Sequence, residues 1–135
     1  PGLLYAVEPR DPELLTQALV DVLTVNRTRL CLGVHARMPP AARQAAVLAM
    51  MPPGAIIARW NLHAGYAYED AKAHYAPFDR LVEEDLPTRA ALADLAAAAL
   101  RDGQPVFISV NNKAEGSAPL SCFALARAIA DRLPA

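Results

Sequence analysis

The sequence predicts an α/β fold, a parallel (βα)4 sheet forming half of a TIM (β/α)8 barrel. Three observations predict it. Strand-length apolar runs alternate with helical stretches four times along 135 residues. The strand runs are apolar almost throughout, as in strands covered on both faces. In each run the polar side chains come late, towards the end where such barrels carry their sites. The alternative is a small open flavodoxin-like parallel sheet, complete in itself.

The elements follow in order. Leu3 to Arg10 reads as the first strand, stopped at Asp11-Pro12. Asp11 is expected to cap the first helix, with Pro12 and Glu13 in its first turn and an apolar stripe of Leu14, Leu15, Ala18, Leu19, Val22 and Leu23. Arg29 to His35 is the second strand. Pro39-Pro40 opens a helix over Ala41 to Met50, and Pro52-Pro53-Gly54 closes it. Ala55 to His63 is the third strand, followed by a long connection from Ala64 to about Pro87. Thr88 is expected to cap an alanine-rich helix that Asp102-Gly103 stops. Pro105 to Asn111 is the fourth strand, and Ser117 is expected to cap a last helix reaching Arg132.

Composition narrows the function classes. Apolar residues are 54% of the chain and charged residues 20%, too apolar for a disordered segment, and the formal net charge of −1 provides no global field for nucleic acid or an acidic membrane surface. No apolar run is long enough to span a bilayer, so no membrane partner and a cytoplasmic setting are expected. Cys31 and Cys122 lie in apolar contexts and read as buried small hydrophobes. A closed barrel of this type takes about 250 residues. Residues 1–135 are therefore expected to be a single domain, the C-terminal half of a barrel whose N-terminal half is missing. Such a half is expected to self-associate or to need its other half, because it leaves two sheet edges open.

Strand alternation selects the candidate site. Ala55, Ile57, Arg59, Asn61 and His63 share one face of the third strand, while Trp60 and its apolar neighbours face the helices. Leu4, Ala6, Glu8 and Arg10 share the corresponding face of the first strand, Cys31, Gly33 and His35 that of the second, and Phe107, Ser109 and Asn111 that of the fourth. Glu8 and Arg59 read as site residues, with a buried ion pair as the alternative, since charges inside a barrel need partners. Between the fourth strand and the last helix, Asn111, Asn112, Lys113, Gly116 and Ser117 suggest an anion cradle at a helix N-terminus. Tyr66, Tyr68, Glu69 and Asp70 sit in the long connection as solvated loop or lid, anchored by Tyr75, Pro77 and Phe78.

Asn111-Asn112, with Glu115-Gly116-Ser117-Ala118-Pro119, resembles the last strand–loop–helix of the family called domain of unknown function 72, the YecE-like barrels. Ala6-Val7-Glu8-Pro9-Arg10 resembles the family's Glu-x-Arg strand, and Arg59 with His63-Ala64-Gly65 its Arg-x-His-Gly strand, here with a longer spacing. The likeness spans the whole chain in order, as the second half of the family domain. It implies a TIM-barrel fold and no settled activity.

The functional expectation is an enzyme acting on a small anionic or phosphorylated molecule. Glu8, Arg59 and His63 are the catalytic candidates, Glu8 or His63 moving a proton and Arg59 stabilising developing negative charge. Arg10, His35, Asn61, Asn111, Asn112, Lys113, Gly116 and Ser117 are the ligand-binding candidates. A divalent metal on Glu8, His35 and His63 is the variant reading, without a supporting motif. The alternatives are binding of a nucleic-acid backbone through Arg37, Arg59 and Lys113, or an inactive fragment.

Overall fold

A computed structural model describes residues 2–134; Pro1 and Ala135, the ends of the expected domain, lie outside the described residues. The elements run β1 (Tyr5–Val7), α1 (Gln17–Val25), β2 (Thr28–Val34), α2 (Ala41–Leu48), β3 (Ile56–Trp60), α3 (Tyr68–Tyr75), α4 (Leu86–Arg101), β4 (Val106–Val110) and α5 (Ala118–Ala130), with 3-10 turns at Pro12–Leu14 and Asn112–Ala114. The strands form one parallel sheet in the order β1-β2-β3-β4. Parallel neighbours need crossovers, which the helices supply. The order is strictly sequential, without the reversal of a flavodoxin-like sheet, and is consistent with a consecutive arc of barrel wall or an open α/β sheet.

Register fixes what shares a layer. Cys31 pairs with Ile57 and Ile57 with Phe107; two residues on, Gly33 pairs with Arg59 and Arg59 with Ser109. The opposite face carries Leu30, Leu32, Val34, Ile56, Ala58 and Trp60, which pack with Leu23, Leu48, Leu92 and Leu125 into the main core. Trp60 is fully buried there. The first face is the open one, with Arg59, Phe107 and Ser109 exposed. A smaller core of Leu62, Ala71 and Tyr75, flanked by Tyr66 and Phe78, holds the long connection together.

Several boundaries differ from expectation. Asp11 caps only the short 3-10 turn, accepting from Glu13 N–H at 2.9 Å, and Thr16 caps α1. The alanine-rich helix starts three residues early because Asp85 carries the cap: its Oδ1 accepts from Thr88 N–H at 3.2 Å. Ser117 occupies the cap position of α5 but makes no capping bond with its side chain. Asn112 Oδ1 accepts from Ala118 N–H instead, at 2.8 Å. Cys31 is buried as expected, whereas Cys122 lies on the exposed side of α5.

Candidate functional site

The site grows from Glu8, one residue beyond the end of β1. Its carboxylate leans over β2, where only a glycine leaves room: a Cβ at Gly33 would stand 2.6 Å from Glu8 Oε1. Oε2 accepts from Arg59 Nη1 at 2.6 Å; Oε1 accepts from Asn61 Nδ2 at 3.2 Å and pairs with Arg10 Nε at 3.1 Å. The Glu8 side chain is 11% exposed, against 51% and 49% for Arg10 and Arg59. One acid facing two half-exposed guanidiniums leaves the cluster net positive. Below it, the Cys31 thiol is pushed up to about 11, by burial first and the Glu8 charge second, so it stays protonated and weakly nucleophilic near neutrality.

Beside this cluster, past the strand ends, opens a cavity of about 490 Å³ lined by Arg10, His35, Ala36, Arg37, Leu62, Ala67 and Tyr68. That volume is within the usual range for small-molecule sites. No carboxylate belongs to the lining. His35 Nδ1 accepts from Arg37 N–H at 3.3 Å, which leaves Nε2 as the protonated nitrogen of the neutral ring. A cavity of about 260 Å³ at the opposite, N-terminal end is lined mainly by apolar residues between α2 and α4. Its one cation, Arg29, is occupied by the carbonyls of Pro52 and Ala55 at 2.8 and 3.0 Å, and burial lowers its pKa. The rim cavity is the larger, and its polar lining is cationic, whereas the N-terminal cavity also carries Asp102.

His63 does not join Glu8. Strand geometry stops at Trp60, the alternation with it, and His63 turns into the connection. There Gly65 N–H donates to its Nδ1 at 3.2 Å, and its Nε2 lies 4.0 Å from Glu83. Tyr66 O–H donates to Glu83 at 2.7 Å, and its ring stacks on His74 at 5.4 Å. The bond to Glu83 raises the Tyr66 pKa, with burial adding to it. Glu8, His35 and His63 therefore form no metal site. Among the described residues no group of three or more His, Cys, Asp or Glu side chains is placed to hold one.

The loop after β4 is packed rather than open. Asn111 Oδ1 accepts from both Lys113 N–H and Lys113 Nζ, at 3.0 and 3.2 Å. Gly116 has φ +116°, and a Cβ there would stand 2.5 Å from the Arg80 carbonyl oxygen. Ser117 is buried, and the first N–H of α5 already serves Asn112. Glu115 organises this loop, a role sequence reasoning missed. Fully buried, it accepts from Asp85 N–H at 2.8 Å and Arg89 Nη2 at 2.6 Å. Burial pulls the Arg89 pKa down, but bonds to Glu115 and Glu84 outweigh it and leave it raised. The signal was present: Arg89 stands in helical register with Leu92, Ala93 and Ala96, all buried, and a guanidinium on that stripe demands a buried acid.

With the fold and rim in place, the family can be given. The sequence model of the family described as "Protein of unknown function DUF72" matches residues 1–134. The chain belongs to this family. No curated protein and no solved structure matches the chain. Membership brings no assigned activity. Among the described residues no helix is long and apolar enough to cross a membrane.

Proposed function

We propose that the chain binds a small anionic molecule, phosphorylated or carboxylated, in the rim cavity, and that Glu8 with Arg10 and Arg59 forms the reacting centre beside it. The observation that carries this reading is the lining: Arg10, Arg37 and His35 converge on a cavity with no acidic wall. Arg37 and His35 hold the anion, and Tyr68 and Leu62 supply apolar walls. Glu8 orients Arg10 and Arg59 towards developing negative charge. Two hydrogen-bond donors and the Arg10 ion pair occupy its carboxylate, so any proton transfer at Glu8 requires one of these partners to swing aside. His63, Gly116 and Ser117 lie outside the proposed contact set.

Calorimetric titration with inorganic phosphate tests the reading. Binding should weaken about tenfold or more in Arg37→Gln, the loss of a charge-assisted contact, with the melting temperature unchanged. Phosphate binding that is absent, or indifferent to Arg37→Gln and Arg10→Gln, overturns it.

The uncovered sheet face supports a related proposal, that further βα units or a second copy close over it. Leu4 and Phe107 stand 54% and 55% exposed there. A monodisperse monomer that melts cooperatively would contradict it.

A further inference from the structure

Lys113 presents an imbalance. The residue is 9% exposed, yet among the described residues no carboxylate lies within salt-bridge distance of its ammonium. Its compensation is one neutral acceptor, Asn111 Oδ1 at 3.2 Å, and the face of the Tyr68 ring at 4.2 Å. An amide acceptor and an exposed-type cation–π contact are each weaker than the desolvation of an ammonium, which ordinarily demands a buried acid. The Glu115–Arg89 pair shows that this same loop supplies an acid where a buried cation is structural. At Lys113 it supplies none.

Tyr68 is common to both places. It covers the Lys113 ammonium and lines the rim cavity with Arg10, His35 and Arg37. An anion entering past this ring would meet a cation whose remaining N–H donors are unmatched by any acid. We infer that Lys113 is a second anion-recognition point, and that the ligand of the rim cavity carries two anionic groups a short spacer apart, one on Arg37 with His35 and one on Lys113. The class is that of small phosphorylated carboxylic acids. The inference rests on the rim cavity binding an anion, as proposed above.

Phosphoglycolate and inorganic phosphate, titrated against the same 135-residue chain, separate the two claims. The expected result is phosphoglycolate binding at least about tenfold more tightly than phosphate, the effect of one charge-assisted contact. Lys113→Met should erase that advantage and leave phosphate affinity unchanged. It should also melt at or above the wild-type temperature, because it removes a buried charge without orphaning a partner. If neither anion binds, both readings fall. If phosphate binds through Arg37 but phosphoglycolate is no tighter, or its advantage survives Lys113→Met, the second anion point alone falls. A lower melting temperature for Lys113→Met would mark the lysine as structural and also overturn it.

Discussion

Glu8 and Glu115 are built alike and placed differently. Each carboxylate collects an arginine and at least one further N–H donor. Glu115 is sealed at 0% exposure between the β4–α5 loop and α4, facing a guanidinium that is itself 11% exposed. Glu8 is 11% exposed, and both its arginines are about half in solvent, with Arg10 lining the rim cavity. Glu83 continues the series at 42% exposure, gathering Tyr66, His63 and His74. The same chemistry at three depths acts as a fastener where partners are buried, and as an organiser of free positive charge where its partners reach solvent.

The sealed end of the series should give the largest effects. Glu115→Ala leaves the buried Arg89 with only the half-exposed Glu84. Losing one partner of a buried pair costs about 3–5 kcal/mol, to be read as a fall in urea midpoint. A loss below about 1 kcal/mol would show that Arg89 finds water and would break the contrast with Glu8.

The two glycines next to these carboxylates sharpen the contrast. Gly116 combines φ +116° with a backbone wall, the Arg80 carbonyl, so Gly116→Ala should cost about 2–4 kcal/mol. Gly33 faces the movable end of a side chain, Glu8 Oε1. Gly33→Ala should cost less than about 1.5 kcal/mol but displace the carboxylate and release Arg59, changing anion affinity with little loss of fold. Equal destabilisation by the two substitutions would erase the distinction between fastener and organiser.

Legibility followed the same division. Glu8, Arg59 and Asn61 were readable because strand alternation is geometric and β-sheet register carries it across neighbours. Alternation fails where strand geometry ends: three residues past Trp60, His63 lies off the face that alternation assigns to it with Arg59. In the loop after β4, Gly116 and Ser117 looked like a cradle because turn chemistry and anion-binding chemistry use the same residues. Only tertiary contacts show Asn112 serving the helix N–H and Arg80 pressed on Gly116. Asp85 takes the cap from Thr88 for a related reason: both are good caps, and Asp85 is fixed by Glu115, 30 residues further along the chain.

A smaller effect is expected at Glu8 itself. Glu8→Gln preserves shape and removes a charge whose arginine partners are half exposed, so solvent screening limits the stability loss to about 1 kcal/mol. Cys31 reports the change in electrostatics. Burial is the larger cause of its raised pKa and Glu8 the second. Alkylation of Cys31 should therefore quicken only a few-fold in Glu8→Gln, while exposed Cys122 reacts unchanged. A large acceleration would mean that the substitution opened the layer beneath Glu8.

The smallest effect belongs to the most exposed hub. Glu83 raises the Tyr66 pKa above its ordinary value of 10.0 by accepting the phenol's hydrogen bond, so the folded chain favours the neutral phenol. That contribution is complete below about pH 10 and disappears as pH rises through the folded-state value. Melting curves from pH 8 to 11 should show wild type falling slightly more steeply than Tyr66→Phe, which has no phenol to lose. The gap should shrink in high salt, since Glu83 lies near solvent. A gap as large as that of Glu115→Ala would mean that the connection is fastened as firmly as the loop after β4, and depth would no longer rank the three carboxylates.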